Sequence, residues 1–338
     1  MKNFLALFLA RNREFYRDKG SLSWSLLFPL ILIFGLSFAL SNDKYVYKVG
    51  VLTTAHEAPP VPALKDVPYL ETLPYADRGT ALKRLAQHQL DLVITDGTPT
   101  EYWVNESSKK AWFLEAALRG GGTPAEGGLR RHIVNGEEVG YVAWVVPGVL
   151  SMSLMFSCLY GVGYQIVRYR DLGVLKRYKA TPVGAFEFLS AQMASRLLIT
   201  FCTLAIVFVG SHSLLDYPTH GSYLLLGLVA VLGALSMIAL SLLCAARIDS
   251  LEFMNGLLNL ISWPMMLLSG LWFSLDNAPA AVRQISACLP LSHVVSAARA
   301  IMLEGAGLRE VAPHLLTLAA MTALLLALAA RLFRWQKD

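Results

Sequence analysis

Six long apolar runs set the hydropathy pattern of this chain. Leu22–Leu40 is the first, 19 residues without a charge. At 1.5 Å per residue it covers about 30 Å, the thickness of a bilayer core. Pro29 interrupts it, which a span tolerates where neighbours cover the freed carbonyl. Val142–Val167, Leu189–Gly210, Tyr223–Ala246, Phe253–Phe273 and Val311–Leu332 follow. The run from Phe253 carries Asn255, Asn259 and Pro264 but no charge. The pattern predicts an α-helical polytopic membrane protein with six transmembrane helices, the first over 22–41 and five more within 141–338.

Three other stretches have different periods. In 1–21, Phe4, Leu5, Phe8, Leu9, Phe15 and Tyr16 recur at helical spacing among Arg11, Arg13, Arg17 and Lys19. That is an amphipathic basic helix suited to a membrane surface. A cleaved signal peptide would have only Phe4–Ala10 as its apolar core, with charges directly after it. Residues 42–140 read as a small α/β domain. Tyr45–Leu52 and Leu90–Thr95 are strand candidates, and Gly79–Gln87 has helical spacing. Glu101–Arg119 reads as a helix, or as a strand and then a helix, and Gly120–Gly128 as a flexible loop. Residues 274–310 are half apolar and punctuated by Pro279, Pro290 and Gly305. Short helices dipping into the interface are expected there.

Composition and charge sharpen this picture. Of 338 residues, 55% are apolar and 16% charged, against about 25% charged in soluble domains. Residues 42–140 hold 11 Lys/Arg and 13 Asp/Glu, while the other 239 hold 18 and 11. The net charge of +5 is therefore no single basic surface, and a nucleic-acid partner is excluded. Short loops on one side of the spans hold 14 Lys/Arg: five in 1–21, five in 168–188, then Arg247, Arg331, Arg334 and Lys337. The other side holds three, Arg283, Arg299 and Arg309. The positive-inside rule then predicts both termini in the cytoplasm of a multi-pass inner-membrane protein, with 42–140 outside. The four cysteines form no CxxC pair and give neither a disulfide framework nor a zinc site.

Enzyme motifs are missing. The chain contains no GxxxxGK[ST], HExxH or GxSxG, and its seven histidines are scattered. An intramembrane enzyme would need paired acids or a nucleophile with its base at matched depth. No catalytic, cofactor or metal site is predicted. The informative polar segment is Arg168–Ser190 (RYRDLGVLKRYKATPVGAFEFLS). Its basic residues fit a positive-inside loop. The apolar Leu172, Val174 and Leu175 between them fit a short amphipathic helix docking into a partner groove, with Leu172 and Leu175 expected on one face. Arg196 lies seven residues into its apolar run. Three readings stay open for it: snorkelling to the interface, pairing with Glu187 or Asp249, or touching substrate.

Three segments carry a family resemblance. Glu14–Pro29 (EFYRDKGSLSWSLLFP), with Glu14 and Arg17, is similar to a cytoplasmic connecting helix running into a first span. Asp171-Leu172-Gly173, through Lys176-Arg177, to Ala180-Thr181-Pro182 resembles a coupling helix seated on an ATPase. Ser269, Gly270, Phe273, Pro279, Pro290, Leu291 and Arg299 match the pattern after a fifth span. Ser274 stands where that pattern often has Pro, and Leu289 where it often has Asn. Together they resemble the permease subunit of the ATP-binding cassette (ABC) type 2 exporter family. The resemblance implies an ATP-driven exporter subunit with no catalytic site of its own, ATP and Mg being bound by partner ATPase subunits. It implies coupling through Asp171, Leu172, Gly173, Leu175, Lys176, Arg177, Thr181 and Pro182. It also implies a second permease copy or a sister permease and, in some systems, a periplasmic adaptor protein. The nearly uncharged spans point to an amphipathic or apolar substrate: a drug, lipid or lipid-linked molecule. The alternative is a membrane receptor or sensor whose 42–140 domain binds a ligand.

The charge asymmetry yields a direct test. Single cysteines replacing Ser107 and Ser213 in a cysteine-free background should react with an impermeant thiol reagent in intact spheroplasts. One replacing Lys179 should not. The inverse labelling pattern would overturn the orientation.

Overall fold

The structure, a computed structural model, describes residues 2–40, 47–53, 61, 64–65, 67–86, 90–95, 101–106, 108–120, 130–134, 141–179, 181, 183–215, 217, 219–272, 275 and 278–332. The chain divides into two compact units, Met1–Ser37 with Val142–Asp338, and Phe38–Tyr141.

The first unit opens with α1 (Lys2–Arg17) and α2 (Lys19–Leu40). Asp18 separates them because its side chain caps the second helix. Its carboxylate accepts from the Ser21 N–H at 3.1 Å and from the Ser21 hydroxyl at 2.6 Å, satisfying donors that a helix start leaves open.

The second unit is a five-stranded sheet with helices. Its elements are β1 (Tyr47–Leu52), β2 (Leu70–Tyr75), α3 (Arg78–Ala86), β3 (Leu92–Thr95), β4 (Glu101–Asn105), α4 (Lys109–Gly120) and β5 (Arg130–Val134). The strand order is β2-β1-β3-β4-β5, with β3 and β4 antiparallel and the other pairs parallel. Period-2 alternation splits the core into two layers. Val49, Val51, Ile94, Tyr102 and Val104 pack with Leu114 and Leu118 of α4. Val93 and Trp103 pack with Ala81 and Leu85 of α3. Residues 101–119 take the strand-then-helix form. The sequence reading omitted β2 and β5, the two edges. β2 contains Pro74 and β5 begins Arg130-Arg131-His132; proline and polar residues are what edge strands use against aggregation. Gly120–Gly128 lies, apart from Gly120 at the end of α4, outside the described residues.

The membrane unit resumes with α5 (Tyr141–Cys158), a π-helical turn (Leu159–Tyr164) and α6 (Gln165–Asp171), which together form one span. Then come α7 (Val174–Lys179), α8 (Ala185–Leu215), α9 (Tyr223–Ala245), α10 (Leu251–Leu268), α11 (Ala280–Ala287), α12 (Pro290–Glu304) and α13 (Leu308–Leu332). Among the described residues, six helices are long and apolar enough to cross a membrane. α11 and α12 form a bent pair at 94°, in the stretch read as short helices. Several boundaries differ from the sequence reading: α2 starts at Lys19, inside 1–21, and α8 runs beyond Leu189–Gly210 at both ends. Helix continues to Asp171, inside the loop assigned to 168–188. The span starting near Phe253 stops at Leu268, because Gly270 adopts a left-handed φ of 74° that ends a helix.

α9 is the hub. It packs on α8, α12, α13 and the π turn, with Val229, Leu225, Val294, Ile301, Val311 and Leu318 in one buried cluster. Its contact with the π turn depends on the absence of a side chain at Gly163. The Ser241 hydroxyl donates to the Leu159 carbonyl and accepts from the Gly163 N–H at 3.0 Å. A Cβ on Gly163 would lie 2.2 Å from Ser241 Oγ and 2.4 Å from the Ser241 carbonyl oxygen. Gly163→Ala should therefore lower stability by about 1–3 kcal/mol, read as detergent-solubilised thermal melting. Gly184→Ala, where a Cβ meets nothing within 4 Å, should not. Equal melting of the two variants would refute this packing.

Candidate functional site

The charged segment between the second and third spans is a turn and a short helix held firmly to its neighbours. α6 ends at Asp171, and Gly173 turns the chain with φ 68°, its N–H donating to the Arg170 carbonyl at 3.1 Å. Leu172 sits in that turn and is 59% exposed, whereas Leu175, inside α7, is 1% exposed. The expected shared face of Leu172 and Leu175 is not formed. The glycine turn separates them, so one faces outward and the other enters the protein's own core. Asp171, Lys176 and Arg177 are exposed. Thr181 donates its hydroxyl to the Tyr178 carbonyl at 2.6 Å and closes α7; Pro182 lies outside the described residues. Tyr178 rests on Phe188 with ring centroids 5.3 Å apart, tying α7 to the start of α8. Next to Phe188, Phe186 is 84% exposed.

Arg170 anchors this turn from within. Its Nη1 donates to the Ala245 carbonyl at 3.0 Å and the Ile248 carbonyl at 2.5 Å, with Asp249 Oδ1 at 3.5 Å. Ala245 closes α9, where a helix leaves acceptors unfilled and carries negative partial charge, and Ile248 lies in the turn that follows. One guanidinium thus joins the second span to the turn between the fourth and fifth.

The N-terminal helix is latched nearby. Glu14 accepts from the Tyr169 hydroxyl at 2.5 Å, from Arg11 at 2.8 Å and from the Gln165 amide at 3.2 Å. Arg11 also donates to the Gly161 carbonyl at 3.2 Å, and Asn12 accepts from Ser195 at 2.8 Å. Arg17 is exposed in the last turn of α1.

Arg299 performs a similar role further along. Its Nη1 and Nη2 donate to the Gly270 and Leu271 carbonyls at 2.6 and 2.8 Å, and its guanidinium lies 3.7 Å from the centre of the Trp144 ring. Ser269 donates to the Met266 carbonyl at 3.1 Å. Ser269, Gly270 and Arg299 therefore meet at the end of α10. Pro279 precedes α11, and Pro290 occupies the first position of α12, where its missing N–H is harmless. Leu291 is buried, and Phe273 lies outside the described residues.

Arg196 reaches neither Glu187 nor Asp249. Its Nη2 donates to Ser157 Oγ at 2.7 Å, and its guanidinium lies 5.7 Å from the Phe15 ring centre. Asp249 is occupied by Arg170 instead. The guanidinium fits because residue 161 is glycine: a Cβ there would fall 2.0 Å from Arg196 Nε. Arg196 borders a cavity of about 550 Å³ between α1, α2, α5 and α8.

A family model described as "ABC-2 family transporter protein" matches residues 19–331. The chain belongs to the ABC-2 transporter family. Such permeases are non-catalytic membrane subunits of transporters. Over 333 residues, 89% of this chain and 88% of the relative, the permease is 20% identical to the probable multidrug ABC transporter permease YbhS of Escherichia coli K12. It is 27% identical over 176 residues to the inner membrane transport permease YhhJ of the same organism, covering 51% of this chain and 46% of YhhJ. The permease thus spans about half the length of YhhJ. It is also 27% identical over 169 residues to nodulation protein J of Rhizobium leguminosarum bv. viciae, 49% of this chain and 64% of that protein.

Two residues of the permease escaped sequence reasoning. Arg170 was counted among flanking charges, since nothing in the local pattern marks it as buried. Phe186 lay within the quoted segment but follows no motif; its sole signal was an aromatic residue at a helix start.

The latch carries a pH sign. Burial pushes the Glu14 carboxyl up, but hydrogen bonds from Tyr169 and Arg11 and the charges of Arg11 and Arg168 outweigh it. The net result lies below the ordinary value of 4.5. A depressed carboxyl contributes stability that is fully present above its unfolded value and lost as pH falls through the folded one. Hydrogen–deuterium exchange over residues 2–17 should therefore report an intact latch at pH 7 and loosening only below pH 4.5. Glu14→Gln should lower protection at pH 7 severalfold, for a loss of about 1 kcal/mol. Unchanged protection would show that the latch holds nothing.

Proposed function

We propose that this permease is the membrane-spanning subunit of an ATP-driven exporter in a bacterial inner membrane. In this reading both termini are cytoplasmic and the Phe38–Tyr141 unit lies outside, available to a periplasmic adaptor protein. Two copies, or one copy with a sister permease, line the path, since six spans enclose little by themselves. The substrate is an amphipathic or apolar molecule: a drug, a lipid or a lipid-linked compound. The similarity to YbhS, a probable multidrug ABC transporter permease, supports that class.

One observation carries the coupling to separate ATPase subunits. The α6–α7 turn offers an exposed Leu172 beside exposed Lys176 and Arg177, while its inner side is fixed by Leu175, Arg170 and Tyr178. A turn loose on its inner side would absorb a push from a partner. This one passes it to α6, α8 and the α9–α10 turn as a rigid movement. The exposed apolar groups supply binding energy and the basic residues supply orientation. Because Leu175 is buried in the permease itself, truncating it would damage folding by about 2–5 kcal/mol and would not report on coupling.

Leu172→Ala with Phe186→Ala should insert and melt like the parent, yet lose at least about 2 kcal/mol of ATPase binding. The readout is co-purification of the ATPase and its permease-stimulated hydrolysis. Retention of the ATPase at full stoichiometry with unchanged hydrolysis would reduce the segment to a positive-inside loop and overturn the reading.

A further inference from the structure

We propose that the cavity between α1, α2, α5 and α8 binds the anionic head group of an amphiphile, with Arg196 as its counter-charge. The proposal rests on the permease reading above, which it deepens by naming the chemistry of a bound molecule.

The cavity has three guanidiniums, Arg11, Arg168 and Arg196, and two carboxylates, Glu14 and Asp18. Both carboxylates are committed. Glu14 is held by Arg11, Tyr169 and Gln165, and Asp18 caps α2 through Ser21. Arg196 has no carboxylate partner among the described residues. Its one hydrogen bond goes to a neutral hydroxyl, Ser157, and its Nε is buried without any partner. Arg11 and Arg196 both converge on Gly161, one on its carbonyl and the other on the space its missing side chain leaves. Arg11 is matched by Glu14, which leaves Arg196 as the unmatched cation where burial makes one costly.

The rest of the lining is not built for a simple inorganic ion. Trp24 and Phe28 of α2 and Phe156 of α5 form an apolar wall, and Trp24 stacks on Phe28 at 5.3 Å. A cavity of about 550 Å³ is also within the size range of small-molecule sites. Head group against guanidinium and chain against aromatic wall is the division this lining prescribes. The anion comes either from a bilayer lipid or from a transported amphiphile, and both present the same phosphate or carboxylate chemistry.

The test uses the full-length permease with its ATPase in phosphatidylcholine nanodiscs, which expose both faces, so the result holds whichever face is cytoplasmic. Dodecyl phosphate is the probe. Dodecanol supplies the chain without charge, and inorganic phosphate the charge without a chain. Dodecyl phosphate should bind at least about tenfold more tightly than either. Arg196→Gln should remove that advantage and Arg196→Lys should keep part of it. Thr203→Phe, which fills the cavity and leaves Arg196 in place, should abolish binding. The comparison of three probes on the unaltered protein stands even if a variant fails to fold. Adding phosphatidylglycerol to the nanodiscs separates the sources. Competition with the probe assigns the site to bilayer lipid, and its absence to a transported amphiphile. Equal binding of dodecanol and dodecyl phosphate, or full affinity in folded Arg196→Gln, would overturn the proposal. Failure of the Leu172 and Phe186 experiment would remove the ATPase coupling and leave this measurement untouched.

Discussion

A helix that ends or breaks near a bilayer releases backbone carbonyls that water cannot reach, and each must find a donor inside the protein. The membrane unit meets this constraint repeatedly with arginine. Arg170 serves carbonyls at and just beyond the end of α9, Arg299 those in the turn after α10, and Arg11 a carbonyl of the π turn. A planar guanidinium with five donors can satisfy two carbonyls from different residues at once, which a lysine cannot do in fixed geometry. The match is reciprocal. The carbonyls gain donors and the cations gain the negative ends of helix dipoles, so charges that would be expensive near lipid become joints.

Those joints account for the mechanical character of the unit. Arg170 links α6 to the α9–α10 turn, Tyr178 against Phe188 links α7 to α8, and Glu14 with Asn12 links α1 to α6 and α8. In the proposed reading, movement imposed on the Leu172 turn would be shared by several spans. Apolar packing alone would let these helices slide, since lipid tails are as apolar as the side chains they would replace. Directional hydrogen bonds to backbone resist sliding.

Arg196 departs from this pattern. It has a hydroxyl where Arg11, Arg170 and Arg299 have carbonyls, and it lines the cavity beside Arg11. Gly161 makes room for it, and a π turn places that glycine. Such turns are often found at functional positions because they expose backbone groups that an α-helix would close. The same segment thus supports the contact with α9 through Gly163 and the cavity through Gly161.

The six spans and the α/β character of 42–140 were legible in the residues. The reason is local: a bilayer selects each stretch by its own length and apolarity, and the sheet strands carry their alternation within a few residues. The edge strands β2 and β5 were not legible, because an edge is built from the proline and polar residues that otherwise signal a loop. At the site, Gly173 could be recognised as a turn, but the fates of Leu172 and Leu175 on either side of it could not. Which apolar residue of a pair faces inward depends on the tertiary packing around it: Leu175 is buried and Leu172 exposed. The arginine partners were equally hidden. Arg170 donates to a carbonyl 75 residues away and Arg196 to a hydroxyl 39 residues away, and every residue has a carbonyl. Composition shows how many cations a span must accommodate. Only the folded packing of helices far apart in the chain assigns each cation its acceptor and leaves Arg196 at a cavity with a hydroxyl alone.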